Sequence, residues 1–264
     1  MNKKVLFLVT AMAVGIVSFA VQPPKPPKPP KASGGTDILH LFLRKNMANE
    51  GELTNATGRV DLGLNRQGNA FNQRLDIATA NLPTNTTYLL WAALGEDTNF
   101  TYAGSFTTSS KGRGLLRFMK VGSSNGKTVG KGKTPLPAEL DPISNIRALV
   151  VANVNTQAVL SAELREPEKL QYLIKRWLSN EDTVAELRLK ATTRTVQFRL
   201  LAAGLFPTAD YSLAVNGEPV ATATSGTNGV LAFTGLPVVP TDILYVRTLD
   251  LLSATNSVLS TTLP

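Results

Sequence analysis

Leu39 to Glu50 reads LHLFLRKNMANE, and Leu170 to Glu181 reads LQYLIKRWLSNE. Apolar positions, a basic pair and an Asn-Glu ending coincide, which marks an internal duplication. The agreement continues in both directions along the chain. GRVDLGL, from Gly58, faces AELRLKA, from Ala185. RLDIATANLPTNTTYLLWAAL faces QFRLLAAGLFPTADYSLAVNG, each with a Pro-Thr turn and a tyrosine opening a strand: Pro83, Thr84 and Tyr88 against Pro207, Thr208 and Tyr211. GSFTTSSKGRGLLRF faces ATATSGTNGVLAF, with Gly114 set against Gly229 and Phe118 against Phe233. IRALVVANVNTQAVLSAEL faces LYVRTLDLLSATNSVLSTTL. The copies divide near Glu166-Pro167, giving units 36–165 and 166–264.

Each unit reads as short strands. Apolar runs of a few residues are punctuated by Gly, Asn, Asp and Pro at regular intervals. Val215-Asn216-Gly217-Glu218 is a two-residue hairpin signal, because Asn-Gly tolerates positive φ at both turn positions. Lys169 to Ser179 also fits a helical stripe through Leu170, Leu173, Ile174, Trp177 and Leu178. Its counterpart at Leu39 to Met47 is more continuously apolar, so a strand is expected in both. The fold class expected is all-β, as two tandem sandwich modules.

The stretch LPTNTTYLLWAAL…AGSFTTSSKGRGLLRF resembles the strand–turn pattern of bacterial extracytoplasmic immunoglobulin-like and fibronectin-like modules. That resemblance implies an immunoglobulin/fibronectin-like β-sandwich for each copy and no catalytic residues.

Upstream of the repeats, Lys3 and Lys4 precede an uncharged apolar run from Val5 to Phe19, and Ser18-Phe19-Ala20 supplies small residues before a cut after Ala20. This is the pattern of a secretory signal peptide over residues 1–20. The run is shorter than the ~20 residues of a membrane helix. An extracytoplasmic protein, periplasmic or secreted and without an integral span, is expected. VQPPKPPKPPK opens a Pro/Lys-rich linker over residues 21–35, extended as polyproline II.

The chain has no cysteine and one histidine, His40. That removes thiolate chemistry and disulfides, and leaves zinc without a ligand set. His40 lies among Leu39, Leu41 and Phe42, reads as structural, and has Gln171 as its counterpart. No Gly-x-Ser-x-Gly elbow accompanies any serine. Paired acids occur at Glu50 with Glu52, Glu96-Asp97 and Glu181-Asp182, all in turn-like stretches. Calcium could draw on Asn49, Glu50 and Glu52 or on Glu96, Asp97 and Asn99, but no EF-hand pattern supports it. No enzyme activity, cofactor or metal is expected. Asn55, Asn85 and Asn99 head glycosylation sequons.

The net charge of +8 is unevenly spread. From Ala32 onward there are 22 basic and 19 acidic residues, and seven of the basic ones fall between Lys111 and Lys133 with no acid among them. VGSSNGKTVGKGKT, Val121 to Thr134, imitates a phosphate loop. Its first glycine would have to be Val121, and VGKGKTPLP cannot open the helix such a loop needs. Copy two passes from its Phe233 strand to its Ile243 strand without these residues, so they form a surface insertion. Lys111, Arg113, Arg117, Lys120, Lys127, Lys131 and Lys133 are the candidate polyanion contacts. No aromatic is interleaved among Lys127, Lys131 and Lys133, so nucleic-acid readout is not expected.

The function expected is a non-catalytic binding or structural protein whose partner is a cell-envelope polysaccharide or another envelope protein. The alternative is a carbohydrate-active protein, a glycan-binding module or weak hydrolase. That reading turns on whether Trp91 and Trp177 are exposed. The apolar neighbours of Trp91 suggest core, while Lys175-Arg176 before Trp177 suggests surface.

Overall fold

The computed structural model describes residues 36–51, 53–95, 99–122, 134–238, 240–254 and 256–264. The expected leader and linker lie outside the described residues. So do Glu52, Glu96, Asp97, Lys127, Lys131 and Lys133.

The protein is all-β, with curled sheets and no α-helix among the described residues. The first half holds β1 (Ile38–Asn49), β2 (Thr57–Gln67), β3 (Ala70–Ala80), β4 (Thr87–Leu94), β5 (Phe100–Thr107), β6 (Gly114–Gly122), β7 (Thr134–Pro135), β8 (Ile146–Ala152) and β9 (Ala158–Glu163). The second half holds β10 (Lys169–Ser179), β11 (Val184–Thr192), β12 (Val196–Ala203), β13 (Asp210–Val215), β14 (Glu218–Thr224), β15 (Leu231–Thr234), β16 (Thr248–Ser253) and β17 (Asn256–Thr262). The Lys169 to Ser179 stretch is a strand, paired on both sides. The Asn216-Gly217 turn has φ of 52° and 85°, as the hairpin requires.

The strand pairings repeat. The first half carries β1-β2-β3-β6 in one ladder and β5-β4-β8-β9 in another; the second carries β10-β11-β12-β15 and β14-β13-β16-β17. In both halves alternate residues of each ladder turn inward. Val60, Leu62, Leu75, Ile77, Tyr88 and Leu90 have their counterparts in Leu187, Leu189, Phe198, Leu200, Tyr211 and Leu213, all buried in one continuous cluster.

The halves are joined by a shared sheet. β1 pairs antiparallel with β10, so one ladder runs β15-β12-β11-β10-β1-β2-β3-β6. The alignment that sets Leu39 against Leu170 sets Leu41 against Tyr172, and these two residues are direct partners at the centre of the seam. Equivalent strands thus meet at equivalent positions, about a local two-fold axis.

The duplication also corrects one alignment. Gly114 and Phe118 are not the counterparts of Gly229 and Phe233. Gly112 (φ 65°) matches Gly229 (φ 67°), and their carbonyls accept from Leu82 and Leu205 N–H, both at 3.1 Å. Leu116 pairs with Ile77 as Phe233 pairs with Leu200. The slip is two residues, which leaves inward and outward positions unchanged and so leaves no trace in the apolar pattern.

The halves differ at one end. In the first, β9 closes onto β1 through Ala48–Ser161 and Asn49–Leu160, and Glu50 N–H adds a bond to the Val159 carbonyl at 3.0 Å. In the second, β17 has no ladder to β10. Side chains bridge instead, from Asn180 to the Val258 carbonyl (2.8 Å) and from Arg176 to Thr261 and the Thr262 carbonyl (2.6 Å each).

Candidate functional site

Of the seven cations expected to act together, Lys127, Lys131 and Lys133 lie outside the described residues, and the other four do not share one surface. Lys111 and Arg113 lie on the exposed β5–β6 turn, where Ser109 Oγ accepts from both of their backbone N–H groups. Arg117 and Lys120 are three apart on β6, and strand alternation sends them to opposite faces. Arg117 lies outward, 4.0 Å from Asp76. Lys120 lies on the other side, held by the Asp141 carboxylate and 5.7 Å from the Phe71 ring. Lys120 keeps the Asp141 carboxyl below its ordinary range, assisted by a hydrogen bond from Gln73.

A different set of cations does converge, on the outward face of the shared sheet. Arg199 on β12 is directly opposite Arg188 on β11, which is directly opposite Lys175 on β10. Directly opposed residues project from the same face with Cβ atoms roughly 5 Å apart. Lys190 and Gln197 form the next row with the exposed Leu173. These six residues line a groove of about 410 Å³. One carboxylate serves the row: Glu186, 2.7 Å from Arg188 and 3.6 Å from Lys175. Arg199 and Lys190 have no carboxylate partner among the described residues.

The first half supplies an internal control. Its residues equivalent to Lys175, Arg188 and Arg199 are Arg44, Asp61 and Asp76, which also lie opposite one another. There each carboxylate is held between arginines. Arg44 grips Asp61 with two bonds of 2.5 and 3.2 Å, Arg59 adds a contact at 3.3 Å, and Arg74 and Arg117 flank Asp76. The Asp61 partnership raises the pKa of Arg44 above its ordinary value. One fold position therefore carries two aspartates held by arginines in one copy, and three cations with a single glutamate among the described residues in the other. The signal was present in the sequence: GRVDLGL against AELRLKA sets Asp61 against Arg188, and RLDI against QFRL sets Asp76 against Arg199.

Both tryptophans face outward and are half-buried, which corrects the core placement of Trp91. On β4 it is Tyr88, Leu90 and Ala92 that point inward; Trp91 meets Tyr102 edge-on at 5.6 Å. Trp177 lies beside the cationic row, with Lys175 Nζ 5.6 Å from its ring. His40 is also outward, hydrogen-bonded through Nδ1 to Asn65 Oδ1. Asn49 is committed to its own loop, donating to the Leu53 and Ala56 carbonyls and accepting from Gly51 N–H. Glu50 accepts from Ser161. Asn55, Asn85 and Asn99 are all exposed.

No protein family, curated protein or solved structure matches the chain.

Proposed function

We propose that the protein is an extracytoplasmic, non-catalytic binding protein for acidic polysaccharide of the cell envelope. The row of Lys175, Arg188 and Arg199, with Lys190 beside it and Glu186 as its one carboxylate among the described residues, carries this reading. Like charges directly opposite one another in a sheet are destabilising. Arg199, without a carboxylate partner among the described residues where the first copy has the arginine-held Asp76, is accounted for by a ligand that supplies the missing negative charge. The row runs across the strands, so its charges recur at the interstrand spacing of about 4.8 Å. An extended polymer bearing regularly spaced carboxylate, sulfate or phosphate groups can follow it. Trp177 and Leu173 supply apolar surface for sugar rings between charges.

The scaffold proposed for this surface is a pair of immunoglobulin/fibronectin-like sandwiches. In each half the sixth strand returns beside the third (β6 by β3, β15 by β12), and a later strand returns beside the fourth (β8 by β4, β16 by β13). Such interlocked returns are the Greek-key connections of that class.

The test is binding to polygalacturonate and dextran sulfate, with neutral dextran as control, across a salt series. A variant carrying Arg188→Gln, Lys190→Gln and Arg199→Gln is expected to bind at least tenfold more weakly, with a shallower salt dependence. A second variant lacking residues 123–133 is expected to bind as the parent does. If the loop deletion abolished binding and the triple variant did not, the site would be the insertion and the reading would fall.

A further inference from the structure

The unclosed end of the second half forms a cleft of about 610 Å³. Its walls come from the β10–β11 turn (Asp182, Thr183), the β12–β13 turn (Phe206) and the facing ends of β16 and β17 (Ser253, Ser257). The volume lies within the range of small-molecule sites. The corresponding end of the first half is shut by the β1–β9 ladder, so the opening is a departure from the duplicated plan.

Phe206 stands at the cleft 80% exposed. Its backbone is pinned on both sides. Its N–H donates to the hydroxyl of the buried Tyr211 at 3.0 Å, and its carbonyl accepts from the buried Ser225 hydroxyl at 2.6 Å. In the first half the equivalent residue, by the matching carbonyl bond and the Tyr88–Tyr211 correspondence rather than by the Pro83–Pro207 match read from the sequence, is Pro83, which has no N–H to give and no aromatic ring to present. Its carbonyl keeps the second bond, from Thr108 at 2.6 Å. The second copy has thus gained an aromatic ring and an extra bond that fixes its mounting. An exposed phenyl on a mobile loop would be unremarkable surface. One on a locked backbone is a preorganised contact.

The polar groups around the ring narrow the ligand class. The Asp182 carboxylate and the Ser253 and Ser257 hydroxyls have no side-chain partner among the described residues. Asn180, by contrast, is spent on the turn, accepting from Asp182 and Thr183 N–H and donating to Val258. No cation lines the cleft. An anionic ligand would meet Asp182 uncompensated. A ligand with a C–H face for the phenyl ring and several hydroxyls for the carboxylate and serines fits on every count. We infer that this cleft binds a neutral pyranose, with the sugar face on Phe206 and its hydroxyls on Asp182, Ser253 and Ser257. The site is separate from the cationic row and does not depend on it.

The experiment is a titration of the 15N-labelled protein, followed by amide shifts, with methyl β-D-glucopyranoside, methyl β-D-galactopyranoside and methyl α-D-mannopyranoside in turn. At least one glycoside is expected to shift amides of Asp182, Thr183, Phe206 and Ser257 saturably at millimolar concentrations. Phe206→Ala should weaken that binding about tenfold, the loss of one well-placed aromatic contact, and Asp182→Asn should weaken it as well. Phe206→Trp should retain binding and report it by indole fluorescence. Because Phe206 is exposed, these variants leave the core intact, and a denaturant midpoint equal to the parent's verifies that. The triple variant of the cationic row should bind the glycoside unchanged, which separates the two sites. The inference is overturned if none of the three glycosides gives saturable shifts at these residues. It is equally overturned if the shifts persist undiminished in Phe206→Ala.

Discussion

Replacing Arg199 with glutamate should stabilise the fold and weaken polyanion binding at once. Arg199 has Arg188 directly opposite on one side and Thr234 on the other, and no carboxylate partner among the described residues. Nothing favourable is lost with it except its exposed stem. Two unit charges about 5 Å apart in water-like surroundings interact by roughly 0.8 kcal/mol, and screening at ~0.1 M salt reduces this to about 0.5. Reversing the sign turns that repulsion into an attraction of similar size. The gain is therefore at most about 1 kcal/mol at ~0.1 M salt, because Glu186 already holds Arg188, less a few tenths for the poorer strand propensity of glutamate. For a domain of this size that corresponds to a melting temperature higher by about 2–4 °C. Arg199→Gln should give about half the gain. At ~1 M salt, where the screening length is about 3 Å, both gains should shrink toward zero. The assay is thermal unfolding of the three proteins at both salt concentrations, with polygalacturonate binding measured on the same samples. Binding should fall at least tenfold for Arg199→Glu. A destabilised variant, or a gain that ignores salt, would show that the row is not electrostatically frustrated and would refute the reasoning. Unchanged binding would separate the frustration from any ligand.

Three further perturbations probe the scaffold. A Cβ on Gly112 would lie 2.2 Å from the Leu82 carbonyl oxygen, and one on Gly229 would lie 2.3 Å from that of Leu205; each Gly→Ala change should cost about 1–3 kcal/mol, nearly equal in the two halves, by urea unfolding. Lys120 holds the Asp141 carboxyl below its ordinary range, so the pair stabilises the fold above pH ~4 and loses that contribution as the pH falls through the lowered value. Lys120→Ala should lower the urea midpoint modestly at pH 7, by under about 1 kcal/mol for so exposed a pair, and match the parent near pH 2. Burial pushes the Tyr172 phenol above its ordinary range, so its contribution is complete below pH ~10 and is lost as the pH rises further. Tyr172→Phe should therefore unfold at higher alkaline pH than the parent, followed by circular dichroism.

Much of the fold was legible because it rests on local rules. The Asn216-Gly217 hairpin, the strand at Lys169 to Ser179 and the duplication follow from turn chemistry and from the apolar pattern shared by the two copies. The β1–β10 seam was not legible. LHLFLRK and LQYLIKR each alternate suitably for a strand in either a separate or a shared sheet, and sequence pattern does not encode which free edge a strand meets. The same limit produced the misplaced glycine pair, since a two-residue slip preserves every inward and outward assignment. The basic insertion drew attention because its lysines are adjacent in sequence, whereas the outward row comes from three strands. Contiguity in the chain is a poor guide to contiguity on a sheet, where neighbours across strands are closer than neighbours two apart along one.

The duplication itself gives the cationic row its meaning. Two copies of one ladder share backbone positions, inward residues and register, so solvent-facing differences between them are free of the constraints of packing. Random change at exposed positions would leave each copy with scattered charges. What is found instead is a coordinated inversion. Asp61 and Asp76 are braced by four arginines in the first copy, while in the second Arg188 shares a single glutamate with Lys175 and Arg199 has no carboxylate partner among the described residues. In the first arrangement Arg44, Asp61 and Asp76 each have a partner of opposite charge; in the second Arg199 faces Arg188 with no carboxylate partner among the described residues, a juxtaposition that costs energy. A surface that raises the energy of its own fold is accounted for when something outside the fold lowers it again. The Phe206 cleft repeats this logic in apolar form: a ladder is given up, a ring is exposed, and a hydrogen bond is added to hold that ring in place. Both departures lie in the second copy, so the two proposals together assign binding to the second half and leave the first half, with its end closed by the β1–β9 ladder, as scaffold.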